Sequence, residues 1–256
     1  MNKLQLGNDA SIAYQEIPGN KNNLYLLFLH EGLGCIEMWK KFPEQLCELL
    51  DCQGIVYERQ GYGNSSPLKK KRAINYHDYY ALNELPKVIS KLLPDSPYFV
   101  IGHSDGGTIG LIHASNQPKN LLGVITEAAH VFVEPETIAG IEKVTKTYTK
   151  GFNDLLKKYH GEKTDRMFYA WSDTWLSDEF IDWDIQHCLS QIACPLYVMQ
   201  GKQDQYGTEN QVMAIVNQTG GKADAFLINN CDHSPHNEQR KIVLEKMEFF
   251  IREHYL

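Results

Sequence analysis

Short, almost continuous apolar runs recur along this chain, and most of the segments between them carry apolar residues at helical spacing. The runs fall at 24–29 (LYLLFL), 54–57, 98–101, 121–126, 195–199 and 225–228. An apolar run without polar alternation suits a strand covered on both faces. Helical spacing is read over 37–50, 76–93, 106–116, 208–218 and 239–254, with Pro86 expected to kink or start the second of these. Two further strands are expected ahead of these, around 4–6 and 12–17, with Gly7, Asn8 and Asp9 as the turn between them. Strands alternating with helices predict an α/β fold: a mostly parallel eight-stranded sheet with helices on both faces. The alternation breaks once. Residues 136–187 contain no clear buried strand and are expected to be helical over 136–149, 152–159 and 164–175. The expected organisation is a core of residues 1–134 and 188–256, with 135–187 as a helical insertion after the sixth strand.

One stretch carries a chemical signal. In YFVIGHSDGGTIGLIHA (98–114) an apolar run enters a tight turn and a helix follows at once. Ser104 sits at the corner, between Gly102 and Gly106-Gly107. Parallel sheets place their sites at the carboxyl ends of strands. A serine in such a turn is presented at that edge, and packing around it needs residues without side chains at Gly102 and Gly106. The free N–H groups of the following helix favour negative charge at the same place. A serine hydroxyl is a weak nucleophile, so it needs a base, and the base needs an orienting acid. Asp204 follows the strand expected at 195–199, and His233 follows the strand expected at 225–228. Both fall at the sheet edge that would hold Ser104. The expected roles are Ser104 as nucleophile, His233 as general base and then acid, and Asp204 as orienter. His236 is the rival base. Glu127 and Glu134, after the sixth strand, are rival acids, and Asp232 is read as a turn residue.

Taken together, LHEGLG (29–34), YERQGYGNSS (57–66), GHSDGG (102–107), GKQDQYG (201–207) and CDHSPH (231–236) resemble the α/β-hydrolase fold superfamily, in its serine hydrolase form with a helical cap. The similarity covers nearly the whole chain. It implies an oxyanion hole made by the backbone N–H groups of Gly32, with Leu33 as the alternative, and of Asp105, the residue after the nucleophile. Members usually carry His-Gly-x after the third strand, whereas here Glu31 stands between His30 and Gly32. The loop after the fourth strand also departs, with Glu58 and Gln60 where an aspartate and an arginine are common; it is read as structural. Leu33, His103, Trp171 and Trp175 are expected to line the substrate pocket. Trp171 and Trp175 are four residues apart and so share a helical face. Of the aromatics in the insertion, Phe168, Trp171, Trp175, Phe180 and Trp183, some are expected to pack it onto the sheet domain and some to line an apolar pocket.

The expected activity is hydrolysis of a small or medium carboxylic ester through an acyl-enzyme, with no cofactor and no metal. Thioesterase, lactonase and carbon–carbon bond hydrolase chemistry could use the same three side chains, and a ligand-binding protein on a hydrolase scaffold is the alternative from another class. A serine nucleophile argues against the branches of the fold that use an aspartate. The ten histidines include no H-E-x-x-H or similar ligand spacing. His30, His103, His113 and His130 are read as hydrogen-bonded structural residues, and His160, His187 and His254 as surface or cap residues. The net charge of −7 over 256 residues argues against nucleic acid and anionic membrane as partners. The basic run 69–72 is read as solvated surface. Six cysteines without a C-x-x-C pair suit reduced thiols in a cytoplasmic protein, and neither a signal peptide nor an apolar span of membrane length is read. A small-molecule substrate and a monomer or homodimer complete the expectation.

Overall fold

The computed structural model describes residues 1–7, 10–20 and 24–255. Asn8 and Asp9 of the expected first turn lie outside the described residues. In chain order the elements are β1 Asn2–Gly7, β2 Ala10–Ile17, β3 Tyr25–Leu29, α1 Phe42–Leu50, β4 Gln53–Glu58, α2 Tyr76–Tyr79, α3 Leu85–Leu92, β5 Tyr98–His103, α4 Asp105–Ser115 and β6 Leu121–Glu127. There follow α5 Pro135–Thr147, α6 Asn153–His160, α7 Thr164–Trp175, α8 Gln186–Leu189, β7 Leu196–Gly201, α9 Glu209–Gln218, β8 Ala223–Ile228, α10 Pro235–Glu238 and α11 Arg240–Tyr255.

The eight strands form one sheet in the order β1-β2-β4-β3-β5-β6-β7-β8. The β1–β2 and β2–β4 pairs are antiparallel and all later pairs parallel. Alternating side chains of the central strands feed two separate cores, as the pleat requires. Leu27 and Leu29 pack in the first core with residues of α4, Val124 and Val198, whereas Leu26 and Phe28 pack in the second with residues of α1 and α11. Both layers are therefore covered, which is why the LYLLFL run needs no polar alternation.

The helix expected over 76–93 is one helical run with a fault in it. α2 passes into a π turn at Tyr80–Glu84 before α3. Pro86 lies in the first turn of α3 and has no N–H to return to the residue four back, so the ladder widens ahead of it. The Leu85 N–H bonds Tyr80 O instead of the carbonyl four back. Between β6 and β7 the regular structure is helical apart from one isolated bridge, Phe132 with Asp184.

The strand order places the reversal of winding between β3 and β5. Loops leaving the carboxyl ends of these two strands diverge there and leave a crevice. The 30–34 loop leaves β3 and the Ser104 turn leaves β5 at that point.

Candidate active site

Ser104 joins β5 to α4 with φ 53° and ψ −118°. That is a left-handed conformation which a residue with a Cβ adopts only under restraint. The restraint is visible on both sides: the Ser104 N–H donates to Glu127 O at 2.8 Å, and the Thr108 N–H donates to Ser104 O at 3.0 Å. The turn is tight enough that a Cβ on Gly102 would meet Gly106 O at 2.3 Å, and one on Gly106 would meet Leu29 O at 2.0 Å. The two glycines thus let strand, turn and helix close on one another and push the serine outward.

The expected base and acid, His233 and Asp204, arrive from two later loops. His233 Nδ1 lies 2.9 Å from both carboxylate oxygens of Asp204. Asp204 is almost wholly buried beside the half-buried ring. Burial opposes its charge, yet the His233 ring and the Tyr206 N–H hold the carboxyl below its ordinary range. His233 and Ser104 face the same cavity. No hydrogen bond joins Ser104 Oγ to His233 among the described residues, so the pair meets at the cavity without the closing contact. Catalytic hydrogen bonds often tighten only once substrate is bound.

The rivals are occupied elsewhere. His236 is buried, bonds Glu127 Oε2 through Nδ1 at 2.5 Å, and packs its ring 4.5 Å from that of Trp39. Glu134 accepts from the N–H and hydroxyl of Thr208 at 2.9 and 2.6 Å and from Gln211 at 2.8 Å, at the start of α9. None of these three lines the cavity of Ser104.

That cavity has a volume of about 230 Å³. Gly32, Leu33, His103, Ser104, Asp105, Trp171, Trp175 and His233 all line it, while Asp204 stands behind His233. Asp105 opens α4, so its N–H has no carbonyl one turn back to bind. A Cβ on Gly32 would meet Trp171 Nε1 at 2.4 Å, so only glycine there lets the indole close over the loop. The remaining wall has an apolar side of Met38, Ile141, Phe152 and Leu156 and a polar side of His130, Thr137, Gln205, Tyr206 and Ser234. Glu31 is the second carboxylate of the lining, and neither lysine nor arginine is part of it.

Several contributors carry no motif. Arg59 is fully buried and donates through Nη1 to His30 O at 2.5 Å and through Nη2 to Glu31 O at 2.8 Å, pinning the loop that bears Gly32. The Arg59 N–H donates to His30 Nε2 at 3.2 Å, so the Nδ1 of that ring carries the proton facing Glu31 O. The Asp105 carboxylate accepts from Tyr76 OH at 2.9 Å and bonds His77 Nε2 at 3.2 Å, and Trp175 Nε1 donates to Tyr76 OH at 2.9 Å. Burial opposes the Asp105 charge, but His77, Arg59 and Arg72 hold the carboxyl well below the usual range. The sole sequence signal of this network is a charged residue inside an otherwise small and apolar helix start.

Of the two readings open for His160, surface or cap, the structure shows the second: it ends α6, is buried, accepts from the Gly63 N–H at 2.9 Å and donates to Leu33 O at 3.0 Å. The carboxyl end of α6 packs onto the 58–66 loop, so a ring with one donor and one acceptor bridges two backbones. His30, His103, His113 and His130 each make a hydrogen bond as expected.

A family model described as alpha/beta hydrolase fold matches residues 25–159. The chain is similar to a monoglyceride lipase of Rattus norvegicus, 25% identical over 121 residues, 46% of this chain and 39% of that protein. The match thus spans about two fifths of that relative's length. It is also similar along most of its length to a 2-succinyl-6-hydroxy-2,4-cyclohexadiene-1-carboxylate synthase of Salmonella typhimurium, 20% identical over 93% of this chain and 98% of that one. Among solved structures, an esterase from Exiguobacterium antarcticum superposes with a TM-score of 0.74 at 17% identity, covering 95% of this chain and 96% of that one, which is a likeness of fold.

Proposed function

Because this chain belongs to the alpha/beta hydrolase fold family, we propose that it is a serine hydrolase cleaving a small or medium, uncharged carboxylic ester. The observation that carries the reading is His233, held by Asp204 at 2.9 Å and facing the cavity of Ser104.

In this reading Ser104 Oγ attacks the carbonyl carbon while His233 Nε2 takes its proton. The N–H groups of Gly32 and Asp105 receive the oxyanion, each contributing roughly 3 kcal/mol to lowering the barrier. The tetrahedral adduct collapses, the bond to the alcohol oxygen breaks, and His233 returns the proton to that oxygen. Water then repeats the sequence on the acyl-enzyme and releases the acid. Asp204 keeps its charge throughout and holds the ring in the tautomer with Nδ1 protonated.

The walls favour an uncharged substrate. An anionic substrate would find two carboxylates, Glu31 and Asp105, whose partners His103 and His77 are already engaged with them, and no lysine or arginine in the lining to pair with it. Burying an unpaired charge there would be costly. The apolar side, from Ile141 to Leu156, suits an aliphatic acyl chain, in keeping with the likeness to a monoglyceride lipase. The synthase likeness, whose name denotes a carboxylate, is the less favoured reading on the same ground.

A panel of p-nitrophenyl esters and a monoglyceride, assayed with variants, tests this. Ser104→Ala and His233→Ala should each lower kcat by ~10⁴-fold or more, and Asp204→Ala by ~10⁴-fold. Turnover surviving Ser104→Ala removes the mechanism. Absence of turnover on every ester, with tight binding of a small carbonyl compound, favours a binding protein.

A further inference from the structure

His103 is the residue between Gly102 and Ser104, and its buried ring makes contacts on both edges. Nε2 lies 2.7 Å from His233 O. A carbonyl only accepts, so this nitrogen carries a proton. Nδ1 faces Glu31 Oε2 at the ion-pair distance of 3.8 Å. A lone pair on Nδ1 would point at a carboxylate, and a second proton there replaces repulsion by attraction. We propose that His103 is a positioning residue: as an imidazolium it braces Glu31, in the loop that supplies Gly32, against the backbone of the base His233, across the nucleophile's own strand. The inference rests on Ser104 and His233 acting as nucleophile and base.

The surroundings support the charged ring. Burial opposes the charge, but Glu31 and then Glu127 outweigh it, leaving His103 above its ordinary value. Glu31 responds in kind: burial pushes its carboxyl up, yet His103 brings it down to about 2. The other groups facing the ring are His236, edge-on at 5.0 Å, His233 at 5.2 Å, and Trp39 at 6.3 Å. His236 is itself engaged by Glu127 and His233 by Asp204. Three imidazoles thus share three carboxylates, and His103 alone spans from one catalytic loop to the other. Loss of its Nδ1 proton leaves the bond to His233 O but releases the Glu31 end.

The test is the pH profile of kcat on p-nitrophenyl acetate for the wild type, His103→Gln, His103→Leu and Glu31→Gln, with Ser104→Ala in parallel. The wild type should lose kcat as pH rises through the His103 value. That alkaline limb should be absent in His103→Gln and move to lower pH in Glu31→Gln. His103→Leu should lower kcat on the order of 10²-fold, the effect of a displaced base, with KM changed less than about threefold. A wild-type kcat and alkaline limb in both the Gln variants overturns the inference, as does a change confined to KM. Glu31 is partly exposed, so its variant decides the matter if those of His103 do not fold. Turnover surviving in Ser104→Ala would instead overturn the underlying assignment of nucleophile.

Discussion

Two buried carboxyl groups, Glu84 within the helical run 76–92 and Asp105 bonded to its first turn, show how residue chemistry depends on partners rather than on burial alone. Asp105 has Tyr76, His77, Arg59 and Arg72 around it and is held ionised. Glu84 is equally buried, but burial outweighs the Gln60 N–H and Arg59 and pushes its carboxyl up to about 7. The consequences for stability have opposite signs. A depressed Asp105 contributes stability that is present above the unfolded value and lost as pH falls toward the folded one. Asp105→Asn should therefore lower unfolding free energy at pH 7 by about 3 kcal/mol, the scale of removing one partner from a buried pair. A raised Glu84 is a liability that grows as pH rises from its unfolded value to about 7. Glu84→Gln should be close to neutral at pH 4.5 and stabilising by about 2 kcal/mol at pH 8, within the ~1.4 kcal/mol per unit conversion. Denaturant unfolding at pH 4.5, 7 and 8 reads both, and a stabilising Asp105→Asn or a Glu84→Gln effect independent of pH contradicts the account.

At the scale of elements, α7 supplies two residues to the wall of the cavity of Ser104. Its Trp171 closes over Gly32 and its Trp175 reaches Asp105 through Tyr76, so one helical face serves both the loop of the proposed oxyanion hole and the elbow. The two tryptophans do different work for that reason. Trp171 stands in the cavity wall with Phe152 and Leu156, and shortening it lengthens the apolar compartment. Trp171→Ala should shift the ratio of octanoate to acetate kcat/KM upward by about tenfold, the scale of a methylene or two in an apolar pocket. Equal loss on all chain lengths would mean that the helix has come away from the sheet instead. Where α7 would lie could not be read from its pattern, because a helix with aromatic residues over much of its surface can be buried against several partners. Trp171 and Trp175 were legible as a pair; Tyr76, supplied by a different element, was not.

On the scale of the whole molecule, the helices between β6 and β7 are fastened to the loop after β4 by polar contacts as well as by their aromatic packing. Lys163, half-buried, donates to Tyr62 O at 3.2 Å and also to Gly63 O and Ser65 O. His160 adds a bond to Gly63 of the same loop and one to Leu33 of the loop after β3. Lys163→Met should raise hydrogen exchange across α6 and α7 while leaving β5 and β6 protected; unchanged exchange in α6 and α7 would show that the aromatic packing suffices. No helix among the described residues is long and apolar enough to cross a membrane. The sequence by itself determined the parallel core and the positions of Ser104, Asp204 and His233 on strand-following loops. Unbroken apolar runs and a glycine-flanked serine are local signals, set by burial on both faces and by backbone sterics. The network around Asp105, the buried state of His160, the pairing of His236 with Glu127 and the reach of His103 from Glu31 to His233 were decided only in three dimensions. Each joins groups far apart in the chain, and nothing in the local pattern of a buried polar residue specifies which distant partner will satisfy it.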